Sequence, residues 1–408
     1  MMWLKLAWRN IWRNWRRSAL TILAIFFAAV LTIISRSAQL GTYEKNIKNT
    51  VEMFSGYAQV QRKGFLDNPS LNKAFRLTPE LKALLVKNEN INAYAERITG
   101  NGLISYKDNT FGIILIGVSP SQELKSSKLS ERIKSGKFLE EAKQDEIILG
   151  KKLLANLKAE IGDTLVLLAS GADGTMGNLK FFIRGTYSLG SPEFDANSAI
   201  INLKAADRLL SMNGRIHLIS LRMNELSDIE PTVEQLNKSI DAPNLVVYGW
   251  EEVLPTLKQS IDLDNISGLI FQFLLMVVIA FGILNTVLMS IQERYKEFGI
   301  MLAVGIKSSK LLLIVFIEIL LLILAGLLAG NIVALSVNYY LYNNPIYING
   351  DFAELYELFG FMPAFFFSLD PKLYIDVSLR IFTLSLATFI FPAYKLHKLE
   401  ALKGIRYT

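Results

Sequence analysis

Cysteine and histidine, which supply most nucleophiles and metal ligands in proteins, are almost absent from this 408-residue chain. It has no cysteine and two histidines, His217 and His397. His217 stands in RIHLISLRM, a stretch typical of a strand, and His397 stands in a basic C-terminal stretch. We therefore interpret His217 as a structural histidine and His397 as a solvated one, and we predict no metal site.

Motifs for hydrolysis are missing as well. The sequence contains no H-E-x-x-H motif of zinc proteases and no G-x-S-x-G nucleophile motif. The GKK at Gly150 follows a strand-like stretch, but it lacks the upstream glycine and the Ser or Thr of a phosphate-binding loop. The acidic pairs at 140–141 and 251–252 are adjacent in sequence, which favours solvated surface. The sequence thus predicts no catalytic residue, no cofactor of its own and no ATP hydrolysis by this chain.

Composition indicates a membrane protein. The hydrophobic content is 51% and the mean hydropathy is +0.31, which is too apolar for an ordinary soluble chain of this length. The net charge is +6 and the isoelectric point is about 9.1, which could suggest nucleic-acid binding. The basic residues, however, stand beside apolar segments rather than on one face of a folded module, so we predict no nucleic-acid partner.

The first apolar run extends from Ser18 to about Ala38 and has a basic, tryptophan-rich leader. It is longer than the apolar region of a secretory signal peptide and approaches the roughly 20 residues that cross a bilayer, so we predict a retained helix. The spacing of the leader's tryptophans favours an amphipathic helix in the headgroup layer, although a merely basic leader is the alternative. The residues concerned are Trp3, Lys5, Trp8, Arg9, Trp12, Arg13, Trp15, Arg16 and Arg17.

Three further apolar runs near the C-terminus complete a four-span topology. Lysine and arginine are enriched in the leader, in the connection between the second and third spans, and in the tail, which predicts that these segments are cytoplasmic. The predicted segments are a cytoplasmic amphipathic helix at 1–17, span 1 at 18–40, an extracytoplasmic domain at 41–262, span 2 at 266–291, a cytoplasmic coupling helix at 292–310, span 3 at 311–337, an extracytoplasmic loop at 338–372, span 4 at 373–394 and a cytoplasmic tail at 395–408.

The 41–262 segment alternates strand-like runs with turn signals and amphipathic stretches, which predicts a folded α+β domain with two lobes. LTPELKALLVKN, GKKLLANLKAEIG and DIEPTVEQLNKSI are predicted helices, and SGADGTMGN is predicted as the tip of a hairpin between LVLLAS and LKFFIRG. The predicted fold class is therefore a membrane α+β protein: four transmembrane helices with a large α+β extracytoplasmic domain inserted between helices 1 and 2.

Residues 292–299, QERYKEFG, place four charged side chains directly between two apolar spans, and IMLAVGI follows them. This pattern suits an amphipathic helix at the membrane face, which a cytosolic partner could grip in order to move two spans. A plain solvated loop is the alternative, but it would carry fewer apolar residues. Glu318 lies inside the third span, where a carboxylate is costly unless paired, and we interpret it as structural, with a proton relay as the alternative.

The stretch ILNTVLMSIQERYKEFGIMLAVGIKSSKLLLIVFIE resembles the signature of the FtsX-like, MacB-type ABC-transporter permeases, in which this segment forms the coupling helix held by the ATPase. The leader LAWRNIWRNWRRSALTILAI and the tail FPAYKLHKLEALKGIR are similar to the two ends of the family, although the tail lacks the usual proline before E-A-L. The resemblance implies coupling residues at Glu293, Arg294, Lys296, Glu297, Gly299, Ile300, Ala303 and Gly305.

Within the family, GDTLVLLASGADGTMGNLKFFIRGTY is similar to the matching region of lipoprotein-releasing (LolC/LolE-type) permeases. Thr175, Met176 and Gly177 resemble part of the hook-like hairpin that recruits a periplasmic carrier. The loop here is shorter and lacks the proline and aromatic residues of that hook, which leaves carrier recruitment open. MacB efflux relatives carry their own ATPase domain, and division-type relatives usually have a smaller outer domain.

The resemblance implies a permease in the bacterial inner membrane, with both termini cytoplasmic, that pairs with a second copy or a homologue. A separate cytosolic ABC ATPase dimer would bind ATP and Mg, and the cargo would be a lipoprotein extracted for delivery to the outer membrane. The alternative is a mechanotransmission permease that controls an extracytoplasmic enzyme or an efflux adaptor. Acyl chains would lie in an apolar groove between spans 1 and 2, lined by Phe26, Phe27, Val30, Leu31, Ile34, Phe271, Leu274, Leu275 and Val278.

Overall fold

A computed structural model of the chain describes residues 2–358 and 361–398. Within these ranges the helices, in chain order, are α1 Met2–Arg13, α2 Trp15–Thr50, α3 Pro79–Lys87, α4 Pro120–Ser126, α5 Lys151–Leu157, α6 Pro192–Asn197, α7 Leu203–Leu209, α8 Ile229–Ser239, α9 Trp250–Val253, α10 Pro255–Glu293, α11 Tyr295–Ala303, α12 Ser308–Asn343, α13 Asp351–Leu358, α14 Pro371–Ala387 and α15 Ile390–His397. A π-helical turn, Val51–Ser55, follows α2, and two short 3-10 turns cover Leu129–Arg132 and Leu226–Asp228.

The strands of the same ranges are β1 Ala58–Arg62, β2 Ile91–Tyr106, β3 Asn109–Val118, β4 Ile133–Gly136, β5 Glu146–Gly150, β6 Thr164–Ser170, β7 Met176–Tyr187, β8 Ser198–Asn202, β9 Leu218–Met223, β10 Leu245–Gly249, β11 Ile346–Tyr347 and β12 Ala364–Phe365. The chain divides into two compact units. A helical unit comprises the described parts of Met1–Tyr43, Ile261–Tyr347 and Ala364–Thr408, and an α+β unit comprises Glu44–Ser260 and Ile348–Pro363.

Four helical stretches are long and apolar enough to cross a membrane: Trp15–Ser55, Pro255–Glu293, Ser308–Asn343 and Pro371–His397. The first three predicted spans each fall inside one of α2, α10 and α12, but all three helices are longer than predicted. Hydropathy marks the residues that suit hydrocarbon, whereas a helix continues into polar sequence until a breaker or cap ends it. The predicted fourth span, 373–394, is divided between α14 and α15, and the predicted tail beyond residue 398 lies outside the described residues.

Two close contacts organise the helical unit. Gly326 and Gly330 of α12 face α2, where Ile25 and Ala29 are fully buried. A Cβ atom added at Gly330 would lie 2.6 Å from the Cβ of Ala29, so the two helix backbones approach closely at this point. The buried core of this unit continues through α10, α11, α12 and α14, with Phe298 and Ile323 among its fully enclosed side chains.

The sheet of the α+β unit has two parts that share the long strand β2. The first half of β2 pairs with β9, and the four strands of this part have the antiparallel order β10-β1-β9-β2. Together with α3 and α8 these strands form a βαββαβ arrangement of the ferredoxin-like kind. The second half of β2 pairs with β3 on one side and β6 on the other, which closes the ring β2-β3-β8-β5-β7-β6. The two lobes predicted for this α+β domain correspond to the ferredoxin-like part and the closed ring.

Side chains of the ring strands alternate between two faces. Ile104, Leu115, Ile147, Leu167 and Phe181 belong to one buried cluster. The other face is exposed in part, whereas β5 and β8 are buried along their whole length, where Ile148 and Ile200 belong to a second buried cluster. The predicted hairpin around SGADGTMGN is confirmed, because β6 and β7 pair from Thr164↔Phe182 to Ser170↔Met176. The first half of β2, β4 and β10 were not predicted. These segments are strands because they pair with partners elsewhere in the chain, β2 with β9, β4 with β7 and β10 with β1.

The predicted 338–372 loop is not one segment. Residues 348–363 group with the α+β unit, whereas α12 continues to Asn343 and β11 pairs with β12. Within the α+β unit, the backbone amide of Met362 donates a hydrogen bond of 3.1 Å to the side chain of Asn46. Within the helical unit, the hydroxyl of Ser37 donates a 2.7 Å hydrogen bond to the carbonyl of Ser368. These partners are more than 300 positions away in sequence, so local pattern cannot reveal them.

His217 is a fully buried structural histidine, as predicted. Its Nδ1 accepts a 3.1 Å hydrogen bond from the backbone amide of Thr99, its Nε2 lies 3.4 Å from the carbonyl of Leu71, and its ring stacks on Phe65. A neutral ring protonated on Nε2 satisfies both contacts. Burial, reinforced by the charge of Arg215, lowers the pKa of His217 from 6.5 to about 4.

This pKa shift predicts an acid-sensitive component of stability. Between pH 6.5 and about 4 the unfolded chain binds a proton at this position that the folded chain excludes, so stability falls as pH falls, by up to about 3 kcal/mol. The check is the melting temperature of the detergent-purified protein and of the His217→Gln variant between pH 7.5 and pH 4.5. The gap between the two proteins should narrow as pH falls; a gap independent of pH would contradict the buried neutral ring.

Candidate functional site

The segment between the second and third spans folds as a short helix with a defined end. Helix α10 ends at Glu293, α11 follows after Arg294, and α12 begins at Ser308. At the C-terminus of α11 the amide of Ile306 donates to the carbonyl of Met301 (3.0 Å), and the amide of Gly305 donates to the carbonyl of Leu302 (3.0 Å). This is a Schellman closure, and Gly305 has the positive φ of +95° that it requires. The predicted coupling helix therefore occupies Tyr295–Ala303, about half of the predicted 292–310 segment.

Helix α11 has two distinct faces. Phe298 and Gly299 are buried within the helical unit. Lys296, Ile300, Ala303 and Val304 are exposed, with Ile300 at 55% and Val304 at 79% of their full accessibility. An exposed apolar stripe beside a lysine, on a helix held between two spans, is a surface suited to a protein partner.

Two arginines of the N-terminal region hold both ends of this segment. Arg13 Nη2 donates to the two carboxylate oxygens of Glu297 at 2.8 and 2.7 Å, and Arg17 pairs with Glu293. Each pair is partly exposed, so each adds about 1 kcal/mol or less to stability. Their main effect is geometric, because they fix α11 and the end of α10 against the helices that carry the arginines.

A buried ion pair connects the same segment to the third span. Arg294 Nη1 lies 2.9 Å from Glu318 Oε2, and both side chains are less than a tenth exposed. Arg294 also approaches Glu297 through Nε at 3.4 Å and lies over the ring of Phe298. A cavity of about 30 Å³ adjoins the pair, and polar side chains including Asn14, Ser18, Thr21, Thr286 and Ser290 line it. Glu318 therefore has a structural partner, in line with its interpretation from the sequence.

The ion pairs of Arg13 and Arg17 were not predicted from the sequence. The signal was present, since Arg13 and Arg17 are four positions apart and Glu293 and Glu297 are also four positions apart. Equal spacing in the two segments allows two parallel pairs, although Arg13 and Arg17 lie in α1 and α2 and Glu293 and Glu297 lie in α10 and α11. The sequence could not indicate that these helices meet, because the partners are 276 and 284 positions apart.

The residues predicted to line an acyl-chain groove differ in their exposure. Phe27, Leu31, Phe271, Leu274 and Val278 are more than half exposed. Phe26, Val30 and Leu275 are partly buried, and Ile34 packs against the buried core of the helical unit. Their role in holding acyl chains stays a prediction.

An apolar groove of about 510 Å³ lies instead between α10 and α14. The amide of Gln272 is buried at its wall, and its Oε1 has no hydrogen-bond partner among the described residues. Its lining comprises Leu269, Gln272, Phe273, Met276, Leu379, Arg380, Thr383, Leu384 and Ala387.

The hook-like hairpin residues lie at the β6–β7 turn. The amide and hydroxyl of Thr175 donate to Asp173 Oδ1 at 3.0 and 2.6 Å, and these bonds hold the pKa of Asp173 below its usual range. Met176 is 74% exposed, whereas Gly177 is packed so closely that an added Cβ would lie 2.1 Å from the carbonyl oxygen of Leu209. The turn thus presents one large apolar side chain on a rigid base.

Family models match both units of the chain. The MacB-like periplasmic core domain matches residues 18–239, which is more than half of the chain, and the FtsX-like permease C-terminal domain matches residues 269–401. The chain belongs to the FtsX/MacB family of permeases. Members of the family are membrane components of ABC transporters, and the four-span α+β fold class predicted from the sequence is confirmed.

The chain is also similar to individual proteins. The chain is 21% identical over 391 residues to the lipoprotein-releasing system transmembrane protein LolC of Xylella fastidiosa, covering 93% of this chain and 91% of the relative. It is 23% identical over 346 residues to the macrolide export ATP-binding/permease protein MacB 1 of Yersinia pestis, covering 79% of this chain but half of that protein. The crystal structure of the periplasmic region of MacB from Actinobacillus actinomycetemcomitans matches 53% of this chain and 98% of its own, with 14% identity and a TM-score of 0.37.

Proposed function

We propose that this FtsX/MacB-family permease works with a separate ATPase dimer and extracts lipoproteins from the bacterial inner membrane. The observation that carries the proposal is the exposed stripe of α11, formed by Lys296, Ile300, Ala303 and Val304, which we call the coupling face. The ATPase binds ATP and Mg and contacts the coupling face. ATP hydrolysis then brings together the two permeases of the complex, which are two copies of this chain or one copy and a homologue. Both termini and the coupling face lie in the cytoplasm.

The ion pairs explain how motion of the coupling face reaches the spans. A partner that moves α11 also moves Arg294, and Arg294 is bonded to Glu318 of α12. The same movement shifts Arg13 at the end of α1 through Glu297, and Arg17 at the start of α2 through Glu293. One short helix thus acts on α2, α10 and α12 together, and the chain links α2 and α10 directly to the α+β domain.

Similarity to the LolC protein along nearly the whole chain favours lipoprotein as the cargo. The apolar groove between α10 and α14, with the buried amide of Gln272, offers a second place for an acyl chain beside the set predicted on spans 1 and 2. Recruitment of a periplasmic carrier would use the exposed Met176. Similarity to the macrolide exporter favours the alternative, a mechanotransmission permease that drives an efflux adaptor or an outer enzyme.

Purification from detergent-solubilised membranes, followed by mass spectrometry and reconstitution, tests these alternatives. Recovery of an ATPase, with ATP-dependent release of a triacylated lipoprotein from proteoliposomes, supports lipoprotein extraction. Recovery of an ATPase with an adaptor or a cell-wall hydrolase, and no lipoprotein release, supports mechanotransmission. Recovery of no ATPase contradicts both.

Placing a carboxylate on the coupling face should weaken ATPase binding. Ile300→Asp and Val304→Asp each put a charge into the centre of a protein interface, and we expect affinity for the ATPase to fall at least about tenfold. Both side chains are exposed, so the melting temperature should hardly change. The control is Val86→Asp, an equally exposed apolar residue of the α+β domain, which should leave ATPase binding intact. Equal binding by all three variants would exclude the coupling face.

A further inference from the structure

The N-terminal helix α1 and the start of α2 carry an exposed surface that the proposed coupling does not use. Trp8 and Trp12 of α1 are 56% and 65% exposed and are four positions apart, the spacing that places two side chains on one side of a helix. Trp15, the first residue of α2, is 61% exposed. The rings of Trp8 and Trp12 meet edge to face with centroids 6.2 Å apart. We call these three residues the indole stripe. Large exposed aromatic side chains in such a row mark an interaction surface.

A row of cations lies next to the indole stripe. Lys5, Arg9 and Arg16 are exposed, and we call them the cationic stripe. The guanidinium of Arg16 lies 5.7 Å from the ring of Trp15, so the two stripes are in contact. The other two arginines of the region, Arg13 and Arg17, are engaged by Glu297 and Glu293. The positive charge of this surface is therefore concentrated in the cationic stripe.

Chain connectivity places both stripes at the edge of a bilayer. Only Asn14 separates α1 from α2, and Trp15 is the first residue of a helix that is long and apolar enough to span the membrane. The opposite side of α1 is not available to a partner, since Ala7 and Asn10 are buried where α1 packs against α12. Indoles prefer the boundary between headgroups and acyl chains, and lysine and arginine on a helix in that layer attract lipid phosphates.

We propose that the indole and cationic stripes form a binding surface for anionic phospholipids of the leaflet in which α1 lies. The indoles enter the headgroup boundary, and Lys5, Arg9 and Arg16 contact phosphate groups that carry net negative charge. Charge complementarity selects the lipid class, because a zwitterionic headgroup offers no net charge to the three cations. This surface does not depend on the proposed cargo or on an ATPase.

Occupation of the surface has a consequence for the coupling segment. Helix α1 ends at Arg13, whose guanidinium holds Glu297 of α11. Lipid bound to α1 therefore holds the helix whose last residue, Arg13, supports α11. Anionic lipid should accordingly raise the melting temperature of the purified protein more than a neutral lipid does.

The test is native mass spectrometry of the detergent-purified full-length protein titrated with phosphatidylglycerol or phosphatidylcholine. The wild type should retain phosphatidylglycerol preferentially, and Lys5→Gln/Arg9→Gln/Arg16→Gln should lose about fivefold in phosphatidylglycerol affinity for each cation removed. The matched control, Lys134→Gln/Lys137→Gln/Lys152→Gln, removes the same charge from exposed positions of the α+β domain and should behave as wild type. A wild type without lipid preference, or a cationic-stripe variant that keeps it, would overturn the proposal.

A second measurement tests the position of the indoles. In nanodiscs that contain brominated phosphatidylglycerol, tryptophan fluorescence of the wild type should be quenched, and most of the quenching should disappear in Trp8→Phe/Trp12→Phe/Trp15→Phe. These phenylalanines keep the surface apolar, so the variant should remain folded by size-exclusion chromatography. Quenching that is absent in the wild type would mean that the indoles do not contact lipid, which would also overturn the proposal.

Discussion

Replacing Glu318 by alanine should destabilise the protein by about 3–5 kcal/mol, because Arg294 then stays buried without its closest counter-charge. After the change Arg294 keeps the longer 3.4 Å contact with Glu297. Arg294→Ala leaves the Glu318 carboxylate inside a span and should have a similar cost. The measurement is the melting temperature and the monodisperse yield of each variant in detergent.

The double variant Arg294→Met/Glu318→Leu separates stability from coupling. Apolar side chains of similar size remove both charges at once, so stability should return to within about 1–2 kcal/mol of the wild type. If the pair transmits motion from α11 to α12, the double variant should stimulate ATP hydrolysis by the partner ATPase less than the wild type does. A double variant as unstable as the single variants would contradict the ion-pair account, and a double variant with full stimulation would restrict the pair to a structural role.

Adding side chains at the contact between α2 and α12 should have an equally large effect. At Gly330 a Cβ would lie 2.6 Å from the Cβ of Ala29, and at Gly326 it would lie 2.8 Å from the Cβ of Ile25 and 3.0 Å from the carbonyl oxygen of Ile22. The two helices must therefore separate to accept leucine. We expect Gly330→Leu to destabilise the protein by about 3 kcal/mol, at the upper end of the cost of overpacking.

A rescue and a control make this prediction specific. Ala29→Gly removes the atom that the new Cβ would meet, so Ala29→Gly should recover much of the stability lost in Gly330→Ala. Gly282→Leu is the matched control, because Gly282 lies in α10 with no atom within 4 Å of an added Cβ. The variants are compared by melting temperature. Equal losses at Gly282 and Gly330 would show that the effect comes from the helix backbone rather than from the contact.

The features that sequence predicted well depend on local pattern. Apolar length identifies a membrane span, because no water is available to backbone groups in hydrocarbon. The hairpin at 170–176 follows from turn residues between two alternating stretches, and α11 follows from a charged, amphipathic stretch that ends at Gly305. The family signature in the same stretch identified the family that both domain matches support.

The features that sequence left open depend on partners far away in the chain. The closure of β6 onto β2 pairs Leu103 with Leu168, and the edge strand β10 forms only against β1, nearly 200 residues earlier. The residues that support α11 are the clearest case, because the leader arginines, which the sequence placed together in one amphipathic helix, fall into two groups. Arg13 and Arg17 are bonded to Glu297 and Glu293, and Arg16 remains exposed.

Local sequence was sufficient to predict the membrane class, the number of spans, the presence of an α+β domain between the first two, and the location of a short helix between the second and third spans. Each of these follows from hydropathy, turn chemistry or a motif within a short window, because the free energies that produce them are local. The pairing of the charged side chains, the exposed face of α11 and the contact between α2 and α12 were visible only after folding. These features depend on the distance between groups that folding brings together and on the burial of those groups. The sequence around Glu318 does not indicate that Arg294 lies 2.9 Å from its carboxylate.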